Sequence, residues 1–174
     1  MSMNTSCRLA EVITPRRVAL LVAVVAIATI GSALFMQYVL GILPCDLCLK
    51  ERVPYYVAIP VALLTACLPN RSTTVRIGLF FLALIFLASA GLAAYHAGVE
   101  WKFWAGPTGC SGEIATTSSA MDLLSQIETT TVISCSEASW RFLGLSLAGW
   151  NGLISLGLAV LSLISVIGFC GRKR

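Results

Sequence analysis

Two cysteines stand two residues apart in Pro44-Cys45-Asp46-Leu47-Cys48-Leu49-Lys50-Glu51-Arg52, with an arginine four residues beyond the second. A Cys-x-x-Cys pair can make and break a disulfide, or it can supply half of a metal site. A bridge across so short a gap crosslinks almost no loop, so it is a weak staple and is easily reduced. Thiol–disulfide exchange is the chemistry that this spacing suits, and it needs a stabilised thiolate. A helix starting near Cys48 would put that sulfur at its N-terminus, and Arg52 would follow one turn along the same face; both favour thiolate over thiol. An arginine at a membrane surface can also simply snorkel to the headgroups.

The elements around this stretch are long and apolar. The chain has 174 residues, 57% of them hydrophobic and 11% charged, against roughly 25% charged in a soluble domain. Uncharged runs of 18 or more residues read as membrane spans. The first run, Val18 to Leu43, is too long for a signal-peptide core and lacks an Ala-x-Ala site after it. Pro15-Arg16-Arg17 before it reads as flanking positive charge. The second run, Val53 to Leu68, is short unless its helix begins nearer Cys48; Pro54 suits its first turn and Pro60 should bend its middle. The third, Ile77 to Tyr95, carries small residues at 88–94 that allow close helix approach in lipid. The last extends from Phe142 to Phe169, with Gly149-Trp150-Asn151 as an interfacial approach to the span. We therefore expect an all-α membrane protein, a four-helix transmembrane bundle with spans near 18–43, 49–68, 77–95 and 149–169. Connecting segments at 44–52 and 96–148 share one side. Within the second, Ser119 to Glu128 could form a short surface helix.

Charge orients the bundle. The termini and the 69–76 loop carry Arg8, Arg16, Arg17, Arg71, Arg76, Arg172, Lys173 and Arg174 against Glu11 alone. The other side carries seven acids (Asp46, Glu51, Glu100, Glu113, Asp122, Glu128, Glu137) against Lys50, Arg52, Lys102 and Arg141. Lysine and arginine accumulate in cytoplasmic loops, so both termini are expected to be cytoplasmic. The four Trp and four Tyr fall near the outer ends of the spans, where amphipathic rings settle. No basic patch interleaved with aromatics points to nucleic acid.

On that topology Cys45, Cys48, Cys110 and Cys135 face the oxidising side, while Cys7, Cys67 and Cys170 lie on or near the reducing one. A Cys110–Cys135 bridge could be purely structural, or the two pairs could pass electrons in series. A four-cysteine zinc site is disfavoured, because the second pair lacks ribbon spacing and His96 is the only histidine. His96, at the outer end of the third span, could approach Arg52 or be an ordinary interfacial residue. The electron acceptor is not visible in the sequence: there is no Gly-x-Gly-x-x-Gly fingerprint and no Cys-x-x-Cys-His haem site, and an acceptor dissolved in the bilayer, such as a quinone, would need no nucleotide fold.

The stretch at 44–52 resembles the Cys-x-x-Cys-x-x-Glu-Arg signature of the DsbB family of disulfide bond formation proteins. Gly98-Val99-Glu100-Trp101 and Gly106-Pro107-Thr108-Gly109-Cys110 resemble the start of that family's second periplasmic loop, and Ser134-Cys135 with Trp140 to Leu145 its end. The resemblance implies a bacterial inner-membrane enzyme that reoxidises a periplasmic DsbA-like thiol oxidase and passes electrons to ubiquinone or menaquinone. It implies that Cys110 and Cys135 form the disulfide that meets the partner, with Cys110 in the mixed disulfide. It also implies that Cys45 and Cys48 form the pair beside the quinone, with Cys48 as the thiolate at the ring and Arg52 and His96 as quinone-site residues. Two other readings remain: a vitamin K epoxide reductase-like enzyme, and a non-enzymatic membrane scaffold braced by disulfides.

Overall fold

In a computed structural model, the described residues are 14–69, 72–107, 135–136, 138 and 140–170. Four helices dominate: α1 (Pro15–Tyr38), α2 (Asp46–Cys67), α3 (Thr73–Glu100) and α4 (Leu147–Cys170). A small hairpin, β1 (Arg141–Phe142) and β2 (Leu145–Ser146), precedes α4. The proposed surface helix at 119–128 and Cys110 lie outside the described residues.

Local chemistry sets the helix ends. Thr14 caps α1, its side chain accepting from the Arg17 N–H, and Pro15 takes the first position, where no amide hydrogen is needed. The helix stops short of the apolar run's end; Gly41 follows at φ 68°, a left-handed conformation that favours glycine. Cys45 caps α2 and Ser72 caps α3. Because α2 begins at Asp46, Pro54 sits well inside it rather than in its first turn, as does Pro60. Asp46 and Lys50, four apart, pair on its exposed face at 2.6 Å. The hairpin was not foreseen. Leu143 and Gly144 both have positive φ, 52° and 82°, as a tight two-residue hairpin turn requires.

Neighbours in sequence pack side by side, α1 with α2, α2 with α3 and α3 with α4, and α4 returns to α1 to close the bundle. Its interior is built largely from small side chains, among them Ala19, Ala23, Ala26, Ala58, Ala62 and Ala66, interleaved with Leu79, Leu82 and Phe86. Large apolar side chains point outward instead: Val24 is 65% exposed and Leu64 69%. That inside-out arrangement is expected in lipid, where tails are as apolar as leucine and close backbone approach holds helices together. α1, α3 and residues Leu147–Ile167 of α4 are each long and apolar enough to cross a membrane. α2 has 22 residues but crowds Asp46, Lys50, Glu51 and Arg52 into its first two turns. This predominantly helical membrane protein gathers the buried charge of its described residues at that one end.

Candidate functional site

The Cys-x-x-Cys stretch folds as the entry to α2. Cys45 is the cap, and its Sγ accepts the Cys48 N–H at 3.3 Å. This brings the two sulfurs to 2.7 Å, close enough to share a proton or to bond. From α3, His96 turns Nε2 toward Cys45 Sγ, 3.6 Å away. Its Nδ1 lies 2.7 Å from Oε1 of Glu51 on α2. Glu100, one turn beyond His96, brings a second carboxylate within 3.9 Å of Nε2. His96, Glu51 and Glu100 are all buried.

The other oxygen of Glu51 accepts from Asn151 Nδ2 of α4 at 2.8 Å. Tyr55 donates its hydroxyl to Asn151 Oδ1 at 2.6 Å. Each hydroxyl has one proton to give. With the Tyr55 proton committed, the contact of 2.9 Å with Ser155 must be donated by Ser155, and that of 3.0 Å between Ser89 and Ser155 by Ser89. The chain Ser89, Ser155, Tyr55, Asn151 therefore points every donor toward the Glu51 carboxylate.

The sequence led us to expect Cys48 to be the stabilised thiolate; in the structure polar contacts also gather on Cys45. The donors converge on Cys45, because it is the residue that caps the helix. Its thiol is lowered from 9.0 to about 4, first by the hydrogen bond from the Cys48 thiol, with burial opposing and His96 and the Cys48 backbone N–H adding to it. Arg52 Nη1 donates to Gln37 Oε1 of α1 at 2.6 Å.

A cavity of about 250 Å³ opens beside the pair. Cys48, Glu51, Arg52, Tyr55, Trp150 and Asn151 form its polar and aromatic rim, and Ile30, Met36 and Leu43 are among its apolar walls. Cys45 and His96 do not line it; they stand behind Cys48 and Glu51. Cys45 also packs with Leu47, Val99 and Cys135 in one buried cluster. Cys135 is disulfide-bonded.

The family model for disulfide bond formation protein DsbB matches residues 15–165. The chain belongs to the DsbB family. A protein named disulfide bond formation protein B from Polaromonas sp. strain JS666 is 28% identical over 163 residues, covering 87% of this chain and 90% of that one. Its namesake from Verminephrobacter eiseniae is 31% identical over 165 residues, 87% of each chain. That of Xylella fastidiosa strain 9a5c is 31% identical over 150 residues, covering 83% of this chain and 84% of that one. As a DsbB protein, this chain is a membrane-bound, disulfide-generating thiol–quinone oxidoreductase. Membership sets aside the epoxide reductase-like and scaffold readings.

Several residues of this DsbB site escaped the sequence reading. Glu51 stood inside the motif but drew no role. Asn151 and Gln37 were visible only as polar residues in apolar runs, a signal worth following because such residues in spans are rare and functional.

Proposed function

We propose that the cavity beside Cys48 receives the quinone headgroup and that the two cysteine pairs work in series. The observation that carries this reading is the order of sulfurs: Cys135 shares a buried cluster with Cys45, Cys45 touches Cys48, and Cys48 opens on the cavity. The cavity's chemistry suits a quinone. Apolar walls would flank a flat ring, and the Arg52 guanidinium and Asn151 amide could donate to its carbonyl oxygens. A bound quinone supplies a two-electron sink, whether ubiquinone or menaquinone.

In this scheme a reduced DsbA-like partner attacks the Cys110–Cys135 disulfide at Cys110, and the freed Cys135 thiolate attacks Cys45. The Cys45–Cys48 disulfide breaks, releasing Cys48 at the cavity and leaving a Cys135–Cys45 bond; when the partner's second thiol frees Cys110, Cys110 attacks Cys135, restores the Cys110–Cys135 disulfide and releases Cys45 as well. His96 acts from behind Cys45, holding its charge, rather than from within the cavity. Arg52, anchored by Gln37, orients the headgroup. We place four spans near 18–43, 49–68, 77–95 and 149–169, with both termini cytoplasmic and the segments 44–52 and 96–148 periplasmic in the bacterial inner membrane. The charge asymmetry and the aromatic residues near the cysteine end support that orientation.

The deciding experiment is anaerobic reduction of quinone by the purified protein, driven by reduced DsbA. Wild type should turn over, and Cys48→Ala should not while remaining inserted; a variant that kept its activity would reject the scheme. Arg52→Met should raise the quinone KM by about 10-fold or more, the usual scale for losing a charged hydrogen bond. Labelling of Cys45 or Cys48 from the cytoplasmic face would refute the orientation.

A further inference from the structure

We propose that Glu51 delivers a proton to the cavity during quinone reduction, receiving it from Cys45 through His96, with Asn151 and Tyr55 as positioning residues. The inference rests on the quinone reading above. Closing the Cys45–Cys48 disulfide forms one S–S bond, breaks two S–H bonds, and releases two electrons and two protons. Both electrons and both protons leave for the quinone, which is reduced to the quinol. Cys48 faces the cavity and can release its proton there directly. Cys45 does not line the cavity, so its proton needs a carrier.

The carrier is in place. Cys45 Sγ meets His96 Nε2, His96 Nδ1 meets Glu51 Oε1, and Glu51 is the one of these groups that reaches the cavity wall. Imidazole can take a proton at one nitrogen and give one from the other, which moves charge without moving the ring. The donors aligned from Ser89 to Asn151 end on Glu51 Oε2, so they fix the carboxylate at the cavity wall. A solely structural carboxylate would need no contact with the cavity.

Other groups that face this relay are Cys48 and Arg52 from α2 and Glu100 from α3. Glu100 offers a rival exit, because it approaches the same Nε2 that faces Cys45, and one of its oxygens has no hydrogen-bond partner.

The test uses full-length protein, reduced, desalted and mixed anaerobically with a short-chain ubiquinone. Glu51→Gln should slow quinone reduction at least about 100-fold, the usual worth of a positioned proton donor, with KM little changed. Formate should restore part of the rate to Glu51→Ala, since a free acid can enter the vacated position. In quinone-free protein, iodoacetamide alkylation of Cys45, followed peptide by peptide, should need higher pH in Glu51→Gln than in wild type. A Glu51→Gln rate within threefold of wild type would overturn the relay. So would a slow variant that formate fails to rescue and whose alkylation profile is unmoved, because Glu51 would then be structural. A larger loss in Glu100→Gln than in Glu51→Gln would send the proton out by the other carboxylate. If wild type itself left the quinone unreduced, the quinone reading would fall first and the relay with it.

Discussion

Away from the cysteines, α2 and α3 meet through Thr65 and Gly78. They approach so closely that a methyl group added at Gly78 would overlap the threonine side chain. At the cysteine end the same two helices meet through Glu51 and His96, and α4 joins them through Asn151. One end is held by small residues and backbone proximity. The other buries titratable side chains, each of which costs several kcal/mol to remove from water unless fully paired. A bundle needing only to stand in lipid could use the first solution throughout. The expensive one is found where two sulfurs must be charged, bonded and released in turn.

Single substitutions should separate the two ends. The largest effect is expected at Cys48: changing it to Ala should abolish turnover while leaving detergent stability near wild type, because the sulfur is only half-buried and caps nothing. Loss of folding instead of turnover would erase the distinction. Next comes the ionisation of Cys45. An ordinary thiol near 9 is about one part in a thousand thiolate at pH 6, whereas a thiol at about 4 is almost wholly ionised there. In the reduced protein, alkylation of Cys45 should therefore stay fast from pH 8 down to about 5 and fail only as pH falls toward 4. The sign follows from the lowered value: the anion is favoured throughout the window between about 4 and 9, and protonation at its acid end removes it. A rate that rises tenfold per pH unit between 6 and 8 would return Cys45 to ordinary behaviour.

At the other end the expected effects are on stability. Gly78→Leu forces a side chain into the Thr65 contact and should destabilise by about 1–3 kcal/mol, the usual cost of overpacking. Quinone reduction per folded molecule should be unchanged. A catalytic defect larger than the folding defect would mean that the two ends are mechanically coupled.

These differences also explain what could be read from the residues alone. The apolar runs and the Cys-x-x-Cys spacing are local signals, and α1, α3 and α4 follow from them within a few residues. Glu51 and Asn151 are 100 positions apart, and Tyr55 and Ser155 are equally distant; only helix packing brings them together, and nothing in the run of letters records that register. The contacts gathered on Cys45 turned on a smaller matter. A helix starting at Asp46 makes Cys45 the cap, and a start two or three residues later would have favoured Cys48. Leu143, at positive φ beside Gly144, hid the hairpin because leucine seldom marks such a turn. The Cys110–Cys135 pairing stays a proposal, since Cys110 is beyond the described residues.

The smallest effect should fall where the two ends meet. Ser89 is the far terminus of the hydrogen-bond chain, fully buried and bonded to Ser155. Replacing it with Ala removes the first donor but leaves Tyr55, Asn151 and Glu51 able to keep their own bonds, since Ser155 can still donate to Tyr55. Hydrogen bonds between membrane helices average about 0.6 kcal/mol, so Ser89→Ala should lower stability in a mixed-micelle unfolding titration by about that amount. The rate of quinone reduction should stay within about twofold of wild type. A tenfold loss of rate would show that alignment of the whole donor chain, and not only its last link at Asn151, governs how Glu51 is held.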